Sequence, residues 1–131
     1  MAVLDASVVV EYLTDGPGAQ AARGRVNAHL GDLHAPHLLD AEVGHVLRRL
    51  ALRGDLAHGA ARSALEDLAA FPLARIDHAV LLDRAWALRR NLSFYDGLYV
   101  ALAELLEAPL LTFDARIAAA PGLRAEVEVI A

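Results

Sequence analysis

The chain has 131 residues, of which 56% are hydrophobic and 22% are charged, so it has enough apolar surface to fold around a core and is too apolar to be disordered. Cysteine and lysine are both absent, which excludes disulfides, thiolate metal sites and any phosphotransfer mechanism that needs a lysine near the phosphoryl group. The formal net charge of -5 argues against a nucleic acid partner, unless bound cations neutralise a cluster of carboxylates.

Short apolar runs alternate with longer helical stretches along the chain. In chain order, the pattern predicts strand 2–4, helix 7–13, helix 19–30, strand 33–35, helix 36–53, helix 55–71, strand 73–76, helix 77–90, helix 93–108, strand 110–113, a short helix and strand 127–130. The predicted N-caps are Ser7, Asp55, Asp77 and Ser93, and Pro36 suits the first turn of its helix.

The predicted strands are apolar throughout, which is typical of a parallel sheet covered on both faces. We therefore predict an α/β fold, a three-layer α/β/α sandwich with a central parallel sheet, as a single domain over residues 1–131. No run is long enough to span a membrane and the first residues do not resemble a secretory signal, so we expect a cytoplasmic protein.

Two predicted strands end in an aspartate. Asp5 follows the first strand and Asp114 follows the fourth. The carboxyl ends of parallel strands share one edge of the sheet, where ligands bind, so both side chains are expected to face one crevice.

Two further acids are candidates on helices. Asp96 lies three residues after Ser93 in a helix that is apolar almost all round; it is either part of a capping pair or a ligand at the sheet edge. Glu42 lies on a flank of the predicted long helix that it shares with His45 and Arg49, and Asp40 lies on the opposite flank. Either acid can be a solvated surface group. Clustered carboxylates without cysteine are the ligands preferred by Mg²⁺ and Mn²⁺, which can hydrolyse phosphodiesters.

These acids lie in four sequence pieces that, in this order, resemble PIN-domain ribonucleases of the VapC toxin type, from bacterial toxin–antitoxin pairs. The pieces are residues 3–7, 38–43, 93–103 and 111–114. The resemblance implies an Mg²⁺- or Mn²⁺-dependent endoribonuclease in which metal-activated water leaves a 5′-phosphate and a 3′-hydroxyl. It implies the metal ligands Asp5, Glu42, Asp96 and Asp114, with the hydroxyls of Ser7 and Thr112 orienting carboxylates or water.

The resemblance also implies partners. These are an RNA substrate, a cognate VapB-type antitoxin whose basic side chain fills the acidic cleft, and a homodimer or toxin–antitoxin hetero-oligomer. His45 stands where many relatives carry Asn, and we expect RNA contacts from His45, Arg49 and Arg116. A catalytically silent PIN module that acts as a binding protein is the alternative function.

Two tyrosines are open to interpretation, and the single tryptophan is not. Tyr95 and Tyr99 either stack on a base or pack in the core or an interface. Trp86 is predicted to be a core residue.

Overall fold

A sheet of five parallel strands forms the centre of the computed structural model, which describes residues 1–131. The strands are β1 (Ala2–Leu4), β2 (Leu33–Pro36), β3 (Ala74–Ile76), β4 (Leu110–Thr112) and β5 (Val127–Val129). Their spatial order is β3-β2-β1-β4-β5, and every neighbouring pair is parallel. The chain runs from β1 outward to β3 and then crosses to β4 on the other side. The strand order therefore reverses between β1 and β4, where open α/β sheets form a ligand crevice.

Seven α-helices flank this sheet, which confirms the predicted α/β/α architecture. They are α1 (Ala6–Thr14), α2 (Ala19–Asn27), α3 (Leu38–Leu52), α4 (His58–Ala69), α5 (Leu82–Ala87), α6 (Phe94–Leu106) and α7 (Ala115–Ala119), with a 3₁₀ turn (His78–Leu81) before α5. Helices α1, α3 and α4 pack on one another, whereas α6 packs along α5 and on β1 and β2. None of the helices combines the length and the apolar character that a membrane span requires.

The core includes the sheet, α6 and the buried faces of α1, α3 and α4. All of β1 and all seven residues from Gly97 to Ala103 are buried, as the continuous apolar runs predicted. Gly97 permits the close packing of α6 on α5, because a Cβ at this position would lie 3.2 Å from the carbonyl oxygen of Ala85. Tight packing here determines where the first turn of α6, with Asp96, meets the sheet edge.

Several predicted helix starts are wrong by a few residues. Asp5, not Ser7, is the N-cap of α1, because its carboxylate accepts the Val8 N–H. Pro36 ends β2 instead of opening α3; its missing N–H is tolerated because the pairing of β1 with β2 stops before this residue. Asp55 does not cap α4, which begins at His58, and its carboxylate instead pairs with a neighbouring arginine.

The helix predicted over residues 77–90 is shorter and broken. Asp77 caps the 3₁₀ turn, α5 ends at Ala87, and tight turns follow. Trp86 is 61% exposed, so its predicted place in the core is wrong. The Arg89 guanidinium lies over its ring, 4.7 Å from the centroid, and covers part of the exposed indole.

Candidate active site

Asp5 is the buried acid at the centre of the site. It directly follows β1, and it is only 7% exposed. Its Oδ1 accepts hydrogen bonds from the Ser7 hydroxyl at 2.6 Å and from the Val8 N–H at 3.2 Å, and its Oδ2 accepts one from the Thr112 hydroxyl at 2.5 Å. Both carboxylate oxygens are therefore held in fixed positions.

The two hydroxyls that hold Asp5 also join β1 to the segment after β4. The Ser7 Oγ accepts the Phe113 N–H at 3.1 Å, and the Thr112 Oγ1 accepts the Asp114 N–H at 2.9 Å. Each hydroxyl thus donates to Asp5 and accepts from the backbone that leads to Asp114. The Phe113 N–H leaves the strand ladder for this contact, which explains why β4 ends one residue earlier than predicted.

Asp114 is paired with an arginine in this structure. It caps α7, and its two oxygens accept hydrogen bonds from the Arg116 Nε at 3.0 Å and Nη2 at 2.9 Å. The hydrogen bonds from Arg116 are the main cause that lowers the pKa of Asp114 below its usual value. Arg116, which the sequence analysis assigned to RNA contact, is 91% exposed and serves here as the counter-ion of a candidate metal ligand.

Asp96 reaches the same edge from the first turn of α6. Ser93 caps this helix through a hydrogen bond from the Asp96 N–H, at 3.1 Å, to its hydroxyl. The backbone of Asp96 therefore takes part in the cap, and its carboxylate remains available to the site. The two interpretations of Asp96 are compatible.

Glu42 comes from α3, and its carboxylate is held by Tyr99 of α6. The Tyr99 hydroxyl donates a 2.6 Å hydrogen bond to the Glu42 Oε1. Tyr99 is 1% exposed, and burial is the main cause that raises its pKa far above the usual value, so it stays a donor. The sequence indicates only that the hydroxyl of Tyr99, in a helix that is apolar almost all round, needs a hydrogen-bond partner. The sequence does not identify Glu42, 57 residues away, as that partner.

The four acids interact electrostatically. Burial is the largest cause that raises the pKa of Asp5, Glu42 and Asp96, and repulsion between carboxylates raises each pKa further. Asp96 contributes to the shifts of Asp5 and Glu42, and Asp114 contributes to that of Asp96. Asp96 therefore links the other three acids, and the cluster favours a bound cation.

The donor set suits a hard divalent ion, since it consists of carboxylate and hydroxyl oxygens without sulfur. In this structure, however, no group of three or more histidine or acidic side chains is arranged so that it could hold a metal ion. The carboxylates of Asp5, Glu42 and Asp114 are instead bound by the side chains of Ser7, Thr112, Tyr99 and Arg116. The ligand chemistry fits Mg²⁺ or Mn²⁺, and binding requires the ion to compete with Arg116 for Asp114.

The other acid of α3, Asp40, lies outside the cluster. Its Oδ2 accepts a 2.7 Å hydrogen bond from the Arg75 Nε, and Arg75 also binds the Leu68 carbonyl. Asp40 therefore ties α3 to β3 and to the end of α4. The two acids on opposite flanks of α3 therefore differ in role: Asp40 forms a structural ion pair with Arg75, and Glu42 lies in the acidic cluster.

His78 is a second residue whose role the sequence did not reveal. The N-cap position of α3, His37, makes no side-chain cap. The His78 Nε2 instead accepts the Leu38 N–H at 2.9 Å, from the 3₁₀ turn after β3. This contact caps the helix that carries Glu42, so it helps to position the site.

His45 and Arg49 follow Glu42 on the same flank of α3, as predicted. Both are exposed, and together with Glu42 and Tyr95 they line a groove beside the acidic cluster. The groove gives the chain a surface next to the candidate metal ligands.

Comparison with known proteins agrees with this architecture. The model of the PIN domain family matches residues 2–123. Ribonuclease VapC1 of Mycobacterium tuberculosis is 47% identical over 131 residues, covering 98% of this chain and 96% of that protein, and Ribonuclease VapC9 of the same organism is 40% identical over 118 residues, covering 89% and 88%. Among solved structures, VapBC2 from Rickettsia felis, bound to a DNA fragment from its promoter, superposes with a TM-score of 0.73 at 16% identity and covers 99% of this chain and 98% of its own.

Proposed function

We propose that this chain, which belongs to the PIN-domain family and to its VapC-type ribonucleases, is a metal-dependent ribonuclease. In this proposal the protein is the toxin of a type II toxin–antitoxin pair, and it hydrolyses RNA phosphodiester bonds with Mg²⁺ or Mn²⁺. It acts in the cytoplasm, as a single domain over residues 1–131.

The observation that carries the proposal is that Asp5 and Asp114 follow the neighbouring strands β1 and β4. Asp96 of α6 and Glu42 of α3 lie near them, so that the carboxylates raise one another's pKa. Asp5, Glu42, Asp96 and Asp114 are the residues that would hold the ion. A divalent ion, when bound, supplies Lewis acidity for the attack of water and neutralises charge on the leaving oxygen. The family resemblance implies a 5′-phosphate and a 3′-hydroxyl as products.

The remaining residues position these ligands. Ser7 and Thr112 hold both oxygens of Asp5, which keeps the most buried carboxylate in one orientation. Tyr99 holds Glu42 from inside the core. Side chains of this kind, which touch a ligand rather than the ion, commonly change metal affinity by about 10–100-fold when they are removed.

The acidic cleft also suits the proposed partners. A cognate VapB-type antitoxin would place a basic side chain among the carboxylates, as Arg116 already does for Asp114. The solved relative from Rickettsia felis is a VapBC pair, which supports an antitoxin as a partner of this chain. A homodimer, or a hetero-oligomer with the antitoxin, is part of the same proposal.

The test is induction of the chain in cells with mapping of new RNA 5′ ends, followed by cleavage in vitro with Mg²⁺ or Mn²⁺ and with a chelator. We expect new 5′ ends that vanish in Asp96→Asn and cleavage that the chelator stops. The matched control is Asp83→Asn, which removes an exposed acid of α5 that forms no ion pair. New ends that persist in Asp96→Asn would refute the site, and no new ends from the parent would favour the silent binding module.

A further inference from the structure

The groove beside the acidic cluster has the features of a nucleotide site. It lies between the start of α1, one flank of α3 and the start of α6, and its volume is about 530 Å³. Its lining is mainly apolar, and the part lined by Glu42, which belongs to the acidic cluster, is the acidic end of the groove. A ligand in the groove can therefore contact Glu42, one of the candidate metal ligands.

Arg49 provides a free cation in this groove. It is exposed and forms none of the nine ion pairs of the structure, in contrast to Arg75 and Arg84, whose charges are used within the fold. It follows Glu42 by seven residues, which is about 10 Å along a helix axis. An anionic group at Arg49 would thus lie two helical turns from the acidic end.

Tyr95 provides an exposed aromatic ring on the rim of the groove. It is 60% exposed, and its hydroxyl makes no hydrogen bond. The other two tyrosines use their hydroxyls within the protein, Tyr12 on Asn27 and Tyr99 on Glu42. Exposed aromatic rings next to arginine are typical of surfaces that bind single-stranded nucleic acid, since bases stack on the ring and phosphates contact the cation.

We propose that this groove binds one nucleotide of a single-stranded RNA substrate next to the bond that is cut. The base stacks on Tyr95, and its phosphate contacts Arg49, while the exposed ring of His45 lies between Arg49 and Glu42. RNA fits this charge pattern because Arg49 offers a positive charge to one phosphate. The acidic end, which carries Glu42, accepts a phosphate only when cations are bound there. The inference rests on the proposed ribonuclease function and adds the residues that hold the substrate.

Arg49→Gln tests the phosphate contact. Because this contact is made equally in substrate and transition state, we expect KM for RNA cleavage to rise about tenfold with kcat little changed. The slope of log KM against log salt concentration should fall by about one, since one phosphate contact is lost. Arg48→Gln is the matched control, because Arg48 is also exposed and unpaired and points to a different groove, between α3 and α4.

Tyr95→Leu tests the stacking contact. We expect KM to rise about tenfold, and Tyr95→Phe, which keeps the ring, should remain close to the parent. Both residues are exposed, so the variants should fold, which thermal melts will verify. Unchanged KM and salt slope in Arg49→Gln and Tyr95→Leu would overturn the nucleotide site, and would leave the groove to a protein segment such as an antitoxin.

Binding without cleavage separates this inference from the proposed function. The probe is a fluorescein-labelled single-stranded RNA of mixed sequence, and its anisotropy is measured with Asp5→Asn protein that also carries Arg49→Gln or Arg48→Gln. We expect weaker binding, with a smaller salt slope, only for Arg49→Gln. If the parent fails to cleave RNA but this difference remains, the nuclease proposal fails and the groove stands; if the parent cleaves and the difference is absent, only the groove fails.

Discussion

Removal of the Tyr99 hydroxyl is the sharpest test of how the site is held together. Tyr99→Phe keeps the ring in the core and deletes the donor that binds the Glu42 Oε1 at 2.6 Å. Hydrogen bonds to charged groups contribute about 1.5–3 kcal/mol, and because Glu42 is only partly buried, water will replace some of the loss. We therefore expect the free energy of unfolding of the metal-free protein to fall by about 1–2 kcal/mol at neutral pH.

The assay is thermal and urea unfolding of the metal-free protein. For a domain of this size, the expected loss corresponds to a fall in Tm of about 3–6 °C. Tyr95→Phe is the matched control, because its hydroxyl has no partner and Tm should not change. In a titration followed by Tm, Tyr99→Phe should also bind Mn²⁺ about tenfold more weakly, since Glu42 loses its orientation.

The pH dependence adds a second condition. The Tyr99 hydrogen bond acts to lower the pKa of Glu42, against the larger effect of burial. The stability that this bond contributes is therefore present above the pKa of Glu42, and it decreases as the pH falls through that pKa. Two results would refute the reasoning. One is a free energy of unfolding of Tyr99→Phe that equals the parent's at neutral pH, and the other is a difference between the two proteins that grows as the pH falls.

Four further variants test other contacts by the same unfolding measurements. Burial raises the pKa of Asp5, so Asp5→Asn should increase the free energy of unfolding of the metal-free protein at neutral pH. This increase should disappear as the pH falls toward 3.8, the ordinary pKa of the carboxyl. No increase at neutral pH would show that burial of the charged carboxylate does not destabilise the protein. His78→Ala should cost about 1 kcal/mol, because the cap of α3 is lost, and a smaller cost than for an exposed surface histidine would contradict that role. Arg84→Met should cost about 2 kcal/mol because Glu104 is only 10% exposed, whereas Arg62→Met should cost under about 0.5 kcal/mol at its exposed pair. Arg84 helps to lower the pKa of Glu104, so the cost of Arg84→Met should decrease as the pH falls; a constant cost would count against the ion pair.

The acids at the sheet edge were predictable because they follow from a rule about strands. Asp5 and Asp114 each come after an apolar run, and parallel strands place their carboxyl ends together without any knowledge of contacts. The position of Glu42 beside His45 and Arg49 followed from helical periodicity in the same way. These inferences needed only the type and the direction of each element.

Contacts between distant segments were not predictable. Asp5 and Ser7 are both good N-caps for α1, but the Ser7 hydroxyl accepts the N–H of Phe113, a residue 106 positions away, and Asp5 accepts the N–H of Val8. The partner of Tyr99 lies on another helix, and no periodic pattern identifies it. For Trp86, α5 has only six residues, too few for a pattern to indicate which side faces the sheet.

The hydrogen bond between Thr112 and Asp5 spans 107 residues, and this separation bears on how the protein is synthesised. A nascent polypeptide on the ribosome that has not reached β4 lacks the Thr112 hydroxyl and Asp114, so its acids cannot assemble. If the chain is the nuclease that we propose, an incomplete chain cannot cleave the RNA of its own ribosome or messenger until most of the polypeptide has emerged.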